Sequence, residues 1–257
     1  MHRLTNKVAF ITGAGRGIGA AIADAFVNEG ARVFLAELDA KSGSDKAAQL
    51  RNGGATAYAR ECDVSDRAAV EAAVHEAHAT LGPIDIVVNN AGVNVFRDPL
   101  TMSEADWRRC LAIDLEGALH ATRAVLPSML ERGRGAVVNI ASVHAFSIIP
   151  GCFPYPVAKH ALLGLTRALG IEYAARGIRV NAIAPGYIDT QISEDYWATF
   201  ADPAAERRRA AELHPPRRLG KPEEVAMTAV FLASDEAPFI NASVITIDGG
   251  RSVLYHD

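Results

Sequence analysis

The sequence predicts an α/β fold, a single doubly wound domain on a parallel sheet, and three observations point there. Short β-branched apolar runs alternate with longer amphipathic stretches, which is the pattern of strand and crossover helix. The apolar runs are continuous rather than alternating, as strands covered on both faces require. A glycine-rich turn, "ITGAGRGIG", joins the first run to the first amphipathic stretch. Right-handed crossovers then place helices on both sides of the sheet. No linker, repeat or low-complexity tract interrupts the 257 residues, so residues 1–257 read as one domain.

The elements follow in order. "KVAFIT" (7–12) reads as strand one, and "GIGAAIADAFVNEG" (17–30) as a helix with a glycine stop. "ARVFLAE" is strand two and "ATAYARECDV" contains strand three. "SDRAAVEAAVHEAHATLG" is a helix capped by Ser65 or Asp66. "IDIVVNNAG" is strand four, and a long helical stretch covers roughly 103–132. "GAVVNIAS" is strand five, "PVAKHALLGLTRALGIEYAARG" a helix and "IRVNAIAPG" strand six. A short helix at 222–233 precedes "SVITIDGG", the seventh strand. Residues 186–217 are the least regular, and a long insertion of this kind predicts a substrate loop or lid.

Composition excludes several classes. Hydrophobic residues make up 49% and charged residues 22%, with a net charge of −4, so nothing suggests a nucleic-acid partner. Cys62, Cys110 and Cys152 are far apart, which argues against a disulfide framework or a zinc site. "HEAH" (75–78) lacks the HExxH spacing and reads as a solvated helix face; no metal is expected. With no apolar run of about 18 residues to span a membrane and no leader-like segment, the sequence points to the cytoplasm.

Two stretches carry chemistry. In the glycine turn, Gly13, Gly17 and Gly19 follow a GxxxGxG spacing. Such glycines let backbone approach a pyrophosphate at a helix N-terminus, where free N–H groups favour an anion. Glu37 ends strand two, where an acidic residue accepts from the adenosine ribose hydroxyls and repels a 2′-phosphate. It favours NAD over NADP, although Arg16 in the glycine turn argues the other way. The second stretch is "PYPVAK" (154–159). Residues i and i+4 share a helix face, so Tyr155 and Lys159 point the same way, with Pro156 in the first turn. Ser142 closes strand five at the sheet's ligand-binding end. A free phenol titrates near 10, and bringing it near neutrality takes about 4 kcal/mol. An ammonium at about 4 Å supplies that much at an effective dielectric of about 20. Tyr155 then serves as a proton shuttle while hydride passes to a nicotinamide.

"TGAGRGIG" (12–19), "NNAG" (89–92), Ser142, "YPVAK" (155–159) and "PG" (185–186) together resemble the classical short-chain dehydrogenase/reductase family, over residues 7 to about 250. The resemblance implies a seven-stranded Rossmann domain, a homotetramer, and Tyr155 as catalytic acid/base. Lys159 would bind the nicotinamide ribose and lower the tyrosine pKa, and Ser142 would orient the substrate. Implied cofactor contacts are Gly13, Gly15, Arg16, Gly17, Ile18 and Gly19 in the loop, Glu37 and Leu38 after strand two, and Asp63 and Val64 at the adenine. Asn90, Ala91 and Gly92 form the adenosine-side wall; Pro185, Gly186, Ile188 and Thr190 hold the nicotinamide end. One departure stands out. The family carries an asparagine 28 residues before its serine, within NxxG; here the stretch is "DLEG", with Asp114 in that place. An ionised Asp114 would favour charged Lys159 and weaken its field at the phenol, giving a working relay with an altered pH optimum.

The substrate is less legible. His144, Asn94 and Phe153 are candidate contacts within a wall formed by 94–97, 142–154 and the 190–213 insertion. Arg207 to Arg209 read either as a lure for an anion or as a solvated helix face. The wall mixes polar and aromatic residues, which suits a small polar secondary alcohol or ketone: a sugar, polyol or sugar acid. Three readings stay open. The first is an NAD-dependent dehydrogenase, the second an NADPH-dependent 3-oxoacyl-type ketoreductase, and the third a non-catalytic nucleotide-sensing regulator hinted at by Asp114 alone.

Overall fold

The computed structural model describes residues 2–255. Seven strands form one parallel sheet in the order β3-β2-β1-β4-β5-β6-β7. They are β1 (Val8–Thr12), β2 (Arg32–Glu37), β3 (Ala57–Glu61), β4 (Ile86–Asn89), β5 (Gly135–Ile140), β6 (Ile178–Pro185) and β7 (Val244–Ile247). The order reverses between β1 and β4, and a crevice opens there beyond the carboxyl ends of the strands.

Side chains alternate between the two faces of the sheet. Ala9, Ile11, Val33 and Leu35 pack against Ile22 and Phe26 of α1 (Gly17–Asn28), Ala47 and Leu50 of α2 (Ala40–Asn52), and Val225 and Ala229 of α9 (Pro222–Ala233). Val8, Phe10, Phe34 and Val87 pack against Val70 and Val74 of α3 (Arg67–Leu81) and Val125 and Met129 of α5 (Gly117–Arg132). Phe10 stacks on Phe34 across two strands at 5.8 Å. Two full faces of covered apolar residues explain why the strands read as continuous apolar runs.

Caps set the helix starts. Asp66, not Ser65, caps α3 by accepting from the Ala68 and Ala69 amides. Asp39 caps α2 in the same way. The sequence reading left α2 out because the helix is mostly polar and carries Gly43; a buried Lys46 anchors it through Asp24 at 2.6 Å. The long helical stretch begins after the Ser103 cap as α4 (Glu104–Leu111) and is not uniform. It widens into a π turn at Ala112–Glu116 before continuing as α5. Turns of this kind cluster at functional sites, and this one carries Asp114. α6 (Tyr155–Tyr173) starts at the tyrosine itself, with Pro156 in the first turn.

Residues 186–217 are more regular than the sequence suggested. They hold α7 (Gln191–Trp197) and α8 (Pro203–Glu212), capped by Asp202. Trp197 and Ala210 form a small core of their own with Leu219, flanked by Tyr187 and Tyr196. Arg207 bonds Asp189 at 2.6 Å and Glu194 at 2.9 Å and lies over the Trp197 ring.

Candidate active site

The loops at the carboxyl ends of β1, β2, β4, β5 and β6 enclose a cleft of about 320 Å³. It runs from Leu38 and Asp63 at one end to Tyr196 and Arg251 at the other.

The glycine loop forms the floor of the first end. Gly13 and Gly17 hold φ of +61° and +56°, a region that side chains avoid. A Cβ on Gly13 would strike Ala91, so glycine here lets the β1 and β4 loops touch. Asn90 seals that contact by donating to the Thr12 and Gly13 carbonyls at 3.1 and 2.8 Å. Gly15 and Gly19 do not line the cleft. Gly15 sits against Glu37 and Ser42, and Gly19 against Gly13 and Asn90, so both are glycine for packing. Arg16, Gly17 and Ile18 do line it, and Arg16 is exposed.

Glu37 is not a solvated strand end. It is only 8% exposed and accepts from the Gly15 amide at 2.8 Å and the Asp39 amide at 3.3 Å. A fixed negative charge therefore lies against the glycine loop. Leu38, Asp63, Val64, Ala91, Gly92, Pro185, Gly186, Ile188 and Thr190 all line the cleft, as does Cys62, which the sequence reading did not single out. The glycine cradle, the exposed helix start and the carboxylate after β2 suit a dinucleotide laid across the strand ends.

The second end carries Tyr155, Lys159 and Asp114. Lys159 Nζ lies 5.5 Å from the Tyr155 ring centroid and donates to the Ile140 carbonyl at 3.3 Å. On its other side it meets Asp114 Oδ1 at 3.1 Å. Asp114 and Lys159 are 2% and 4% exposed, so this ion pair is buried. Asp114 also accepts from the Val93 amide and the Cys110 thiol. A Cβ on Gly92 would sit 2.7 Å from Asp114 Oδ1, which explains the glycine.

The charges pull against one another. Burial pushes the Asp114 carboxyl above its ordinary value, and the Lys159 charge only partly restores it. Burial opposes the Lys159 charge, but Asp114 and Tyr155 outweigh it, so the ammonium lies above its ordinary value. The Tyr155 phenol is pushed up by burial, pulled down by Lys159 and pushed up again by Asp114, for a net rise. With the protein's own groups alone the phenol stays neutral.

Ser142 Oγ accepts from the His144 amide at 3.1 Å and lines the cleft beside the Tyr155 hydroxyl, which its hydrogen bond makes more acidic. His144 lines the cleft, edge-on to Tyr155 at 6.1 Å. Asn94 lines it too. Phe153 does not: it stacks on Trp107 at 6.0 Å and takes no part in the lining. The substrate contact expected of Phe153 is thus corrected. The wall takes Phe96, Ile149, Cys152, Tyr187 and Tyr196 instead. Arg207 and Arg209 are engaged with Asp189, Glu194 and Glu206 rather than facing the cleft. Arg251 was missed altogether, because "DGGRSV" carries no spacing that predicts a return to the site.

Comparison with known proteins agrees with this geometry. A family model described as enoyl-(acyl carrier protein) reductase matches residues 13–252. The 2-(S)-hydroxypropyl-CoM dehydrogenase 3 of Xanthobacter autotrophicus is 39% identical, over 98% of this chain and 99% of its own. The D-threitol dehydrogenase of Mycolicibacterium smegmatis is 39% identical, over 98% and 95%. A crystal structure of levodione reductase superposes with a TM-score of 0.94 at 37% identity, covering 98% of this chain and all of that one. A parallel seven-stranded sheet with a glycine cradle, matched end to end by alcohol dehydrogenases and a reductase, settles the family. The chain belongs to the short-chain dehydrogenases/reductases, oxidoreductases of alcohols that use a nicotinamide cofactor.

Proposed function

We propose that the protein oxidises a small polar secondary alcohol to a ketone, with NAD as hydride acceptor. The observation that carries this reading is the meeting of Ser142, Tyr155 and Lys159 in one cleft with the glycine loop. Ser142 donates to the substrate oxygen. The Tyr155 phenolate takes the hydroxyl proton as the carbinol carbon gives up hydride, which a bound oxidised nicotinamide would accept. Lys159 stabilises the tyrosine's charge and would hold the nicotinamide ribose. Asp114 positions Lys159 and draws off part of its field. When bound, the oxidised dinucleotide would supply the hydride acceptor and a positive charge.

Gly13, Arg16, Gly17 and Ile18 cradle the pyrophosphate in this reading, with Gly15 and Gly19 shaping the loop. Leu38, Asp63 and Val64 flank the adenine, Asn90 to Gly92 wall the adenosine side, and Pro185 to Thr190 hold the nicotinamide end. The preference for NAD rests on Glu37. Its carboxylate is fixed where ribose hydroxyls would approach, and it has lone pairs to spare after accepting two amides. A 2′-phosphate there meets a buried negative charge. The polyol class agrees with the mixed lining of His144, Asn94, Tyr187 and Tyr196 and with the D-threitol relative. The α7–α8 segment acts as the lid, latched by Arg207. A homotetramer in the cytoplasm completes the proposal, and light scattering on the purified protein tests the assembly.

An exposed Arg16 in the glycine loop favours a second reading, NADPH-dependent ketone reduction. One comparison separates them. Steady-state rates with NAD and NADP should favour NAD at least tenfold in kcat/KM, and Glu37→Ala should narrow that ratio. Better turnover with NADP by the parent protein would overturn the NAD assignment.

A further inference from the structure

After β7 the chain reverses sharply. Gly249 and Gly250 take φ of +61° and +87°, and the turn Arg251–Val253 follows. Asp248 pins it by accepting from the Gly250 amide at 2.9 Å and the Ser252 amide at 2.7 Å. The reversal carries Arg251 back over the strand ends. Its guanidinium carbon sits 4.8 Å from the Tyr187 ring centroid, and the side chain lines the cleft.

Among the described residues, Arg251 is a cation with no anion. No carboxylate among them lies within salt-bridge distance, and Asp248 accepts from backbone amides instead. The other charged residues of the lining are spoken for or distant in role. Asp114 and Lys159 pair with each other, and Arg16, Glu37 and Asp63 belong to the adenosine end. The Arg251 charge reaches His144 and His214: both imidazoles lie below their ordinary value, first through burial and also through Arg251.

His144 adds a second polar group. Its Nδ1 faces the Ser147 carbonyl at 3.2 Å, and a carbonyl only accepts, so Nδ1 carries the proton. The neutral ring then offers an Nε2 lone pair, which has no partner among the described residues. Among the described residues, this end of the cleft thus presents the unpaired Arg251 guanidinium over Tyr187 and the His144 imidazole acceptor beside Tyr155.

We propose that the substrate is a hydroxy acid: Arg251 binds its carboxylate, and His144 Nε2 accepts from a hydroxyl next to the reacting carbinol. The proposal rests on the polar-alcohol reading above and narrows it. The planar fork of an arginine stacked on an aromatic ring suits a carboxylate. Hydride goes to the nicotinamide and the hydroxyl proton to Tyr155, so the product is the corresponding keto acid.

The test uses matched pairs of four to six carbons, each a polyol and the acid with one terminal CH₂OH replaced by carboxylate, such as threitol and threonate. Rates with NAD are read for the parent, Arg251→Leu and Arg251→Lys, and the acids are titrated into each protein by calorimetry. The expected result is an acid preference of about tenfold or more in kcat/KM. Arg251→Leu should remove it through KM, leave the neutral polyol within about threefold, and be partly rescued by Arg251→Lys. Equal turnover of both members, or equal loss on both in Arg251→Leu, overturns the carboxylate assignment while the polar-alcohol reading stands. No turnover with any pair, and no Arg251-dependent binding, overturns both.

Discussion

Asp114→Asn is the sharpest probe of the buried cluster. Asparagine keeps the shape and can still accept from Lys159 and the Val93 amide, so the change removes charge with little else. Lys159 Nζ stands 5.5 Å from the Tyr155 ring centroid, and Asp114 Oδ1 stands 3.1 Å from Nζ. At an effective dielectric of about 20 the ammonium favours the phenolate by about 3 kcal/mol. The carboxylate lies at most about 9 Å from the ring and opposes it by about 2 kcal/mol. More than half of the lysine's pull is therefore cancelled, and this adds to burial, the larger cause of the raised phenol. Removing the carboxylate returns that pull. Because oxidation needs the phenolate, the acid limb of kcat/KM should move to lower pH by roughly one unit. Reduction needs the neutral phenol, so its basic limb should move the same way. The assay is a pH–rate profile in both directions, following absorbance of the reduced nicotinamide. Profiles that superpose on the parent's, or an acid limb that rises, would refute the charge argument.

The same pair predicts stability. Lys159→Met leaves the Asp114 carboxylate buried without its cation and should cost about 3–5 kcal/mol, measured by denaturant unfolding. The sign with pH follows from burial: a carboxyl whose folded pKa lies above its unfolded value adds stability below the unfolded value and loses it as pH rises. The deficit should therefore be largest at neutral pH and shrink in acid, and Asp114→Asn in the same chain should recover most of it. Gly92→Ala pushes a methyl to 2.7 Å from Asp114 Oδ1 and 3.4 Å from Lys159 Nζ. It should lower kcat more than it raises KM for NAD; an unchanged kcat would show that the pair tolerates displacement.

What the sequence made legible divides along physical lines. The strands could be read because both of their faces are covered, and apolar continuity records that directly. Ser142, Tyr155 and Lys159, the proposed catalytic trio, could be located because local rules place them: Ser142 after β5, Tyr155 at the first residue of α6, and Lys159 one turn on. α2 escaped because its stability comes from the Asp39 cap and the Lys46–Asp24 pair rather than an apolar stripe. α7 and α8 escaped because each is short and their core, Trp197 with Ala210 and Leu219, closes across the segment. Arg251 escaped because its position depends on two left-handed glycines and on Tyr187, more than 60 residues away. The type of Asp114 was visible; the π turn that aims it at Lys159 was not.

Asp114 also changes what the site asks of its cofactor. With an asparagine at that position, the buried group of Lys159, a neutral Tyr155 and the amide carries one positive charge. The phenol can then lose its proton and leave a neutral site. With Asp114 the charges already cancel before the phenol ionises, and losing that proton leaves a net negative charge among buried groups. A low-dielectric site resists such a charge unless a cation arrives with the ligand. An oxidised nicotinamide carries that cation and a reduced one does not. On the proposed mechanism, the single replacement would tie the acidity of Tyr155 to the redox state of a bound dinucleotide more tightly than lysine alone would, and would suppress phenolate formation when the hydride acceptor is absent.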